Sequence, residues 1–343
     1  MQASQNTKRS TLKDIASRVG VSPRAVSSAL NGTGRVSPAT QEKIRRVAKE
    51  LNYRPNTAAR GLVQNRSYLL GALFPYANVS FFNDIISGIE EKCNEFEYDM
   101  LLGNANLLDE KDERPALMRM INRGVDGILC APDYREIELF RSLESQGIPT
   151  VQVMTRIEQS SLPFIGVDNT RGGYLATRHL MELGHEKIGF LKSNRLHYSE
   201  IEDRYAGYMK ALIQSGIRLD IDEYSQACDQ TIQGGYEATR ELLKRRPDIT
   251  AIVSPTDYAA IGSIRACLET GRQIPETISV IGYDDLSIAG NQIVYPLTTV
   301  AQPKREIGLQ AFDMLKIRMG GGDCENRILE PRLVIRQTTA SPG

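Results

Sequence analysis

The chain has 343 residues, of which 41% are hydrophobic and 24% are charged. These fractions are close to those of globular proteins and exclude a disordered, collagen-like or coiled-coil chain. Because domains usually contain about 100 to 200 residues, the length predicts two or three domains. No stretch reaches the roughly 18 apolar residues of a membrane helix, and the first residues lack the apolar core of a secretory signal. We therefore expect a cytoplasmic protein without a membrane segment.

Charge is divided unevenly along the chain, although its total is zero. Residues 1–66 contain thirteen Lys and Arg and three Asp and Glu, a net charge of +10. The other 277 residues contain 29 basic and 39 acidic residues, a net charge of −10. A small basic segment on an acidic body is typical of polyanion-binding modules. The alternative is a basic tail that only aids solubility, and the local structure of the segment decides between the two.

The basic segment predicts three short helices. Apolar residues recur at helical spacing over 12–19 and stop at Gly20, which indicates a first helix. Ser22-Pro23 is a good N-cap followed by a residue suited to the first turn, so a second helix begins there. Ser37-Pro38 gives the same signal for a third helix, which can cover the first two. Two helices joined by a tight glycine turn indicate a helix-turn-helix domain, which we place at residues 8–54.

The second helix carries the residues that we expect to read DNA. The N-terminal part of such a helix enters the major groove, and the outward-facing residues there are Pro23, Arg24, Ser27 and Ser28. The Arg24 guanidinium can donate two hydrogen bonds to O6 and N7 of a guanine. The residues expected to contact phosphates are Lys13, Ser22, Asn31, Arg35 and Thr40. Each alone could be a solvated surface residue, but the set on a segment of charge +10 favours DNA binding.

The basic segment resembles the DNA-binding head and hinge of the LacI/GalR (lactose/galactose repressor) family of transcriptional regulators. The resemblance covers about 60 residues, in the runs TLKDIASRVGVSPRAVSSALNG and GRVSPATQEKIRRVAKELNYRPNTAARGL. It implies a homodimer that binds double-stranded DNA at a pseudo-palindromic operator. Ser28 stands where the family commonly has an arginine that reads a base. We therefore expect an atypical operator sequence.

Residues 55–66, PNTAARGLVQNR, are predicted to form a hinge. A helix of two turns that contains a glycine is too short to be stable alone in water. By resemblance to the family, two such helices pack together in the minor groove, where a leucine wedges between base pairs. The residues assigned to this role are Asn56, Ala59, Arg60 and Leu62. The alternative is a plain flexible linker.

From residue 67 the pattern changes to short β-branched or leucine runs that alternate with helical stretches. The alternation occurs in two series, the second of which starts near Ile165. Two such series predict an α/β core of two doubly wound Rossmann-like subdomains. We expect the chain to recross between them near its end. The predicted division assigns 67–164 and 298–326 to the first subdomain, and 167–295 and 329–343 to the second.

Ligands of parallel sheets bind beyond the carboxyl ends of the strands, and the residues predicted there are mostly polar. Their carboxylate, amide, hydroxyl and guanidinium groups suit a hydroxyl-rich or carboxylated small molecule. The candidates are Tyr76, Phe82, Asn104, Asp133, Arg156, Arg204, Thr256, Asp257, Asp284 and Gln302.

The predicted core resembles the effector-binding core of the same family, which is similar to periplasmic binding proteins of type I. The resemblance implies a cleft between the subdomains, with Arg204, Asp284 and Gln302 at the effector and Phe82 as an aromatic wall. Gln230 stands where the family often has an aromatic residue that stacks on a sugar ring. A sugar or sugar derivative is the effector that the family leads us to expect.

The sequence lacks the common catalytic signatures. No G-x-G-x-x-G follows the first predicted strand, and no G-x-S-x-G, H-E-x-x-H or P-loop is present. His179, His185 and His197 lack metal-ligand spacing, and the five cysteines include no C-x-x-C pair. We therefore predict a protein that is not an enzyme and needs no metal or cofactor.

Together these features predict a transcriptional regulator, most simply a repressor, whose operator affinity is controlled by a small molecule in the cleft. Two alternatives come from other classes. A solute-binding protein would need an export signal and would lack the helix-turn-helix. A Rossmann enzyme that processes a sugar or nucleotide would turn over the ligand that it binds.

Overall fold

A computed structural model describes most of the chain. The described residues are 10–30, 32–34, 36–53, 66–75, 79–104, 113–131, 137–157, 160–193, 199–218, 220–290 and 295–343. The chain divides into two compact units, Met1–Ser67 and Tyr68–Gly343. We call the first unit the head and the second unit the core. None of the described helices combines the length and apolarity that crossing a bilayer requires.

The head contains the three predicted helices, α1 (Leu12–Val19), α2 (Pro23–Leu30) and α3 (Pro38–Glu50). Local capping explains where they begin and end. Asp14 accepts a hydrogen bond from the backbone N–H of Thr11, which completes a capping box at the start of α1. Gly20 ends α1 in the left-handed conformation, with φ +82°, which glycine adopts without strain.

The three helices of the head share one small apolar core. Its fully buried members are Ile15, Val26, Ala29 and Ile44, contributed by all three helices. Burial of each larger side chain among them, Ile15, Val26 and Ile44, contributes about 1.5–3 kcal/mol to folding. This core therefore fixes the relative orientation of α1 and α2, which is the arrangement that the sequence predicts.

The core is built around two six-stranded sheets within the described residues. The strands of the first sheet are β1 (Leu69–Phe74), β2 (Asp99–Asn104), β3 (Gly127–Cys130), β4 (Thr150–Val153), β5 (Phe164–Val167) and β11 (Arg327–Leu329). The strands of the second sheet are β6 (Ile188–Ser193), β7 (Ser225–Cys228), β8 (Ala251–Val253), β9 (Ser279–Asp284), β10 (Thr298–Ala301) and β12 (Arg332–Val334).

The strand orders are β11-β5-β4-β3-β1-β2 and β12-β10-β9-β8-β6-β7. All the neighbouring strands are parallel except β12, which pairs antiparallel with β10. The central strands β3, β4, β8, β9 and β10 are buried along their whole length, as expected when helices cover both faces of a sheet.

Helices cover the two sheets. They are α4 (Val79–Glu95), α5 (Glu113–Asn122), α6 (Ile137–Ser145), α7 (Asn169–Glu182), α8 (Ser199–Gln214), α9 (Ile232–Arg245), α10 (Asp257–Glu269) and α11 (Lys304–Met319). The predicted pair of doubly wound α/β subdomains is confirmed. We call the half built on the first sheet the N-half and the half built on the second sheet the C-half.

The chain crosses between the halves as predicted, but two strands differ from the predicted division. Residues 298–301, assigned by sequence to the first subdomain, form β10 and pair with β9 in the second sheet. Residues 327–329 form β11 and pair with β5 in the first sheet, whereas the predicted division assigned Leu329 to the second subdomain. Both errors have the same physical reason. The apolar pattern of a short strand shows that it is buried but does not show which sheet it joins.

Three helix pairs of the core cross at glycines. In each pair, a Cβ added to either glycine would lie 1.9–2.2 Å from a backbone oxygen of the facing helix, so that only hydrogen fits there. The pairs are Gly88 with Gly308 (α4 and α11), Gly173 with Gly207 (α7 and α8), and Gly235 with Gly262 (α9 and α10). The oxygen that faces Gly173 belongs to Arg204. This crossing therefore fixes the backbone of Arg204.

The C-terminal residues after β12 are bound to the second sheet by hydrogen bonds. Val280 donates its backbone N–H to the carbonyl of Thr338, whose hydroxyl donates in turn to the carbonyl of Val280. His185 Nε2 lies 2.8 Å from the carbonyl oxygen of Ala340, and His179 Nε2 lies 3.0 Å from the hydroxyl of Thr339. The two histidines thus have a structural role, and burial lowers the pKa of each.

We predict that acid weakens the core through His179 and His185. Their folded-state pKa values lie below the ordinary histidine value of about 6.5, chiefly because burial disfavours the imidazolium form. Below about pH 6.5 the unfolded chain therefore binds more protons than the folded chain does. The stability that the neutral imidazoles provide is complete above that pH and is lost as the pH falls toward the folded-state values. Urea unfolding at pH 7.5 and 5.5 measures the loss.

A double variant, His179→Gln with His185→Gln, is the control for other titrating groups. It should lose less unfolding free energy between the two pH values than the wild type does. An equal loss in both proteins would contradict the assignment.

Candidate functional sites

The described part of the head presents an exposed cationic surface. Eight basic side chains are exposed there: Lys13, Arg18, Arg24, Lys43, Arg45, Arg46, Lys49 and Arg66. Only Arg46 among them has an ion pair within the described residues, to Glu50 at 4.0 Å. Such a surface attracts a polyanion over a distance of about 10 Å at 0.1 M salt.

The predicted base-reading residues lie on α2. Pro23 and Arg24 are exposed in its first turn, and Ser27 and Ser28 are partly buried one turn later. Two residues predicted at phosphates also take part in helix capping, Ser22 at the start of α2 and Thr40 as a partner of Ser37, the N-cap of α3. The Ser22 hydroxyl accepts from the backbone N–H of Ala25, and the Thr40 hydroxyl lies 2.8 Å from that of Ser37.

The remaining predictions for the head are placed as follows. Lys13 is exposed on α1. The other predicted contacts lie outside the described residues: Asn31, Arg35, Asn56, Ala59, Arg60 and Leu62.

A cleft opens in the core where the two halves face each other. Its empty space is about 720 Å³, part of which is open to solvent. The lining residues are Pro75, Phe81, Phe82, Met154, Thr155, Glu200, Ile201, Arg204, Gln230, Thr256, Tyr258, Asp284 and Leu286. Pro75 follows β1, Thr155 follows β4 and Thr256 follows β8, so the cleft lies at the carboxyl ends of the parallel strands.

A buried carboxylate, Asp284, is the centre of the polar network in the cleft. Gln302 Nε2 donates to Asp284 Oδ1 at 2.7 Å, and Arg204 Nη1 lies 3.7 Å from the same oxygen. All three residues are nearly inaccessible to solvent. Burial raises the pKa of Asp284, while the charges of Arg204 and Lys304 oppose the rise. We call Arg204, Asp284, Gln302 and Lys304 the Asp284 cluster.

Arg204 is fixed by contacts on several sides. Its Nε donates to Asn169 Oδ1 at 2.9 Å, and its Nη1 donates to the carbonyl of Pro255. The guanidinium carbon also lies 3.7 Å from the ring centroid of Tyr283, a cation–π contact. Helix α8 supplies this arginine to the cleft, and its side-chain position depends on α7 and the end of β8.

Lys304 connects the Asp284 cluster to the N-half. It begins α11, and its ammonium group donates to the carbonyl oxygens of Asp284 at 2.8 Å and Asp285 at 3.1 Å. The same nitrogen lies 3.5 Å from Asp84 Oδ2 on α4. Asp284 and Asp285 have φ of 112° and 49°, a strained conformation that costs about 1–3 kcal/mol per residue. Lys304 thus stabilises the turn that presents Asp284 to the cleft.

Asp257 has a different role from Asp284, although both were predicted at the effector. Its Oδ1 accepts from the hydroxyl of Thr299 at 2.5 Å, and its Oδ2 accepts from the backbone N–H of Leu286 at 2.7 Å. Asp257 is fully buried and does not line the cleft, because α10 directs its side chain toward β10. Burial and the nearby charge of Asp284 raise its pKa.

The structure brings together five of the predicted effector residues on the cleft surface: Phe82, Arg204, Gln230, Thr256 and Asp284. Gln302 lies directly behind them through its hydrogen bond to Asp284. Arg156 is exposed and is not part of the lining. Asn104 ends β2 and pairs with Phe74 along the backbone. Tyr76 and Asp133 lie outside the described residues.

Sequence reasoning missed several lining residues, of which Glu200 is the most distinctive. Glu200 and Arg204 are four residues apart on α8, so that they share a helix face, and this spacing was a usable signal. Thr155 and Met154 follow β4 and could have been found by the rule that identified Thr256. The sequence pattern did not distinguish Tyr258 and Leu286 from core residues.

Nothing in the described part of the chain points to a metal site, because no three His, Cys, Asp or Glu side chains are grouped as ligands. The described arrangement offers a cationic surface on the head and an enclosed polar network with apolar walls in the core. The first suits a polyanion, and the second suits a small molecule with hydrogen-bonding groups.

Comparison with protein families gives two matches that together span most of the chain. Residues 11–56 match the model described as "Bacterial regulatory proteins, lacI family". Residues 67–331 match the model described as "Periplasmic binding proteins and sugar binding domain of LacI family". A curated relative, the HTH-type transcriptional repressor PurR of Vibrio atlanticus (strain LGP32), is 36% identical over 334 residues. That alignment covers 96% of this chain and 98% of the relative.

Two solved structures are similar along the chain. One is the Lac repressor dimer bound to operator and the anti-inducer ONPF, with a TM-score of 0.85 at 26% identity, covering 97% of this chain and 100% of the other. The second is a LacI family transcriptional regulator from Enterococcus faecium with bound ribose. Its TM-score is 0.71 at 29% identity, with 80% of this chain and 100% of the other covered.

We predict strong energetic coupling between Arg204 and Asp284. Arg204→Leu should lower the free energy of unfolding by about 3–5 kcal/mol, because it leaves a buried carboxylate without its cation. The double variant Arg204→Leu with Asp284→Asn should lose less unfolding free energy than the two single variants lose together. The difference should be about 0.5–3 kcal/mol. Denaturant unfolding of the four proteins measures this coupling.

Arg178→Leu is a matched control on the neighbouring helix α7. Its ion pair with Glu182 is more than half exposed on both sides, so its loss should cost about 0.2–1 kcal/mol. If the effects of Arg204→Leu and Asp284→Asn on the unfolding free energy were strictly additive, the two residues would not be energetically coupled.

Proposed function

The chain belongs to the LacI family of bacterial regulatory proteins, and from this premise we propose a function for each of its two units. It is a DNA-binding transcriptional repressor whose operator affinity is controlled by a small effector, and it is not an enzyme. In our proposal the head binds the operator through α2, and the core binds the effector in the cleft around the Asp284 cluster. The observation that carries this proposal is the presence, in one chain, of a cationic helix-turn-helix and a cleft that holds a buried polar network.

For DNA recognition, we assign sequence readout to the first turns of α2. Arg24 is exposed there and can contact a guanine in the major groove, while Pro23, Ser27 and Ser28 make the neighbouring contacts. Lys13, Ser22 and Thr40 contact phosphates and set the register, together with Asn31 and Arg35. Since Ser28 is short and uncharged, Arg24 carries most of the direct readout.

The functional unit is a homodimer on a pseudo-palindromic operator. We propose that the hinge residues Asn56, Ala59, Arg60 and Leu62 enter the minor groove between the two half-sites. We also place the protein in the cytoplasm, at the chromosomal DNA that it regulates. The log of the binding constant should fall by about 0.9 for each neutralised phosphate per log unit of salt.

For effector recognition, we assign Arg204, Gln230, Thr256 and Asp284 to direct polar contacts and Phe82 to an apolar wall. A carbohydrate fits the mixture of hydroxyl, amide and charged groups, and the similar regulator from Enterococcus faecium contains ribose. Effector binding changes how the N-half and the C-half are held together at the Asp284 cluster. Coupling of this kind between two sites is typically worth about 1–3 kcal/mol.

We predict that Arg24→Ala weakens binding to the operator by about 1–3 kcal/mol per half-site, which is the value of a bidentate contact to a guanine. The operator is first isolated by selecting genomic fragments on the wild-type protein. Fluorescence anisotropy at fixed salt then measures the affinity of both proteins for this fragment and for an unrelated one.

Arg46→Ala is a matched control from the same head. It removes the same charge from α3, where the side chain is exposed and already paired with Glu50. Arg46→Ala should lower the affinity for both DNA fragments slightly and equally. Arg24→Ala should lower the affinity for the operator fragment more than the affinity for the unrelated fragment. Equal behaviour of the two variants would reject α2 as the reading element.

A further inference from the structure

We propose that Lys304 and Asp84 form a latch between the two halves of the core, and that weakening this latch changes the operator affinity of the protein without any ligand in the cleft. The inference rests on the proposed function of the head as the operator-binding unit. It gives Lys304 a positioning role between the halves, in addition to its local contacts with the turn after β9.

The turn formed by Asp284 and Asp285 is the place where the connections between the halves converge. Three of the described connections pass from one half to the other: β5 to α7, β10 to α11, and β11 to β12. Asn169, at the start of α7, accepts a hydrogen bond from Arg204, which faces Asp284. Arg336, shortly after β12, donates to Asp285 Oδ1 at 2.5 Å. Residues beside two of the connections thus reach the same turn.

The remaining connection, from β10 to α11, supplies Lys304. Only 5% of this side chain is exposed. Its ammonium donates to the carbonyl oxygens of Asp284 and Asp285 in the C-half. On the side of the N-half it lies 3.5 Å from Asp84 Oδ2 and 5.7 Å from the ring centroid of Phe81, both on α4. A buried ammonium is unfavourable without such partners, so it holds these groups of the two halves together.

The latch joins two walls of the cleft. Phe81 on α4 and Asp284 at the end of β9 both line the cleft, and Lys304 contacts both residues from behind. A change in the distance between these walls must lengthen or break a contact of the ammonium. Contacts that two packed elements share in this way carry energetic coupling between them. Lys304 therefore links the position of α4 to the strained turn.

A second ion pair between α4 and α11 differs from the latch in one respect. Arg305, the next residue of α11, pairs with Glu91 on α4, and both side chains are more than half exposed. This pair lies within the N-half, whereas Lys304 also binds the turn of the C-half. Glu91 is therefore the matched control for Asp84, since it is an acid on the same helix that pairs with the neighbouring cation.

The first experiment changes the exposed end of the latch. Asp84→Asn removes the charge and Asp84→Lys reverses it, and the proteins should fold because 60% of the Asp84 side chain is exposed. Hydrogen exchange of the full-length, ligand-free protein is measured by mass spectrometry in peptides that cover residues 284–290. The backbone N–H groups of Leu286 and Ala289 are hydrogen-bonded there. We expect at least twofold faster exchange in Asp84→Asn and a larger increase in Asp84→Lys, although Asp84 lies in the other half.

The second measurement is the operator affinity of the same ligand-free proteins. Fluorescence anisotropy at fixed salt uses the genomic fragment selected on the wild type. The two Asp84 variants should shift this affinity in the same direction, by at least twofold in Asp84→Asn and by more in Asp84→Lys. Glu91→Gln and Glu91→Lys make the same charge changes. They should leave the exchange at 284–290 unchanged and shift the operator affinity less than twofold.

A substitution at the buried end of the latch tests whether Asp84 acts through Lys304. Lys304→Met keeps the aliphatic stem and removes the ammonium, so exchange at 284–290 should be at least fivefold faster. Asp84→Asn should then have no further effect in the Lys304→Met background. A lysine that only stabilised its own turn would give the first result, but it would leave the turn insensitive to Asp84. If Lys304→Met does not fold, the comparison of the Asp84 and Glu91 variants decides alone.

Three results would overturn the proposal: wild-type exchange at 284–290 in the Asp84 variants, an operator affinity in those variants equal to that of the Glu91 variants, or a full effect of Asp84→Asn in the Lys304→Met protein. Failure of the proposed function would look different. The wild type would then bind no genomic fragment specifically, while the exchange at 284–290 would still depend on Asp84.

Discussion

The cleft depends on one constraint, which is that a buried carboxylate at the end of β9 must be held in a strained backbone. Asp284 can remain there because Gln302 and Arg204 bind its side chain and Lys304 binds its carbonyl oxygen. These partners come from different places, since Arg204 lies on α8 of the C-half and Lys304 on α11 of the N-half. The carboxylate thus makes the geometry of the cleft depend on both halves at once, which a ligand-controlled regulator requires.

The division of charge complements this arrangement. The +10 of residues 1–66 is located in a small unit whose described basic side chains are exposed, while the other 277 residues carry a net charge of −10. Within the cleft the charges are few and largely balanced, so hydrogen-bond geometry rather than net attraction selects the ligand. The same chain therefore uses long-range electrostatics for one partner and short-range complementarity for the other.

Local signals in the sequence predicted the head and the fold class well, because caps and periodicity are properties of neighbouring residues. Ser22, Ser37 and Gly20 mark helix ends in the structure as they do in the sequence. Features that depend on contacts between distant parts of the chain were predicted less well. Asp257 and Asp284 both follow buried strands, yet only contacts from distant elements direct one into the protein and the other into the cleft. Glu200 was missed although its position four residues before Arg204 on α8 was a local signal.

We propose that ligand binding in the cleft and DNA binding by the head are thermodynamically linked. The most direct test takes the neutral sugar or nucleoside that raises the melting temperature most and measures its affinity for the free protein and for the protein saturated with operator. Linkage requires the two affinities to differ, by about 5- to 150-fold for a coupling of about 1–3 kcal/mol. Identical affinities in the two states would show that the cleft does not control the head.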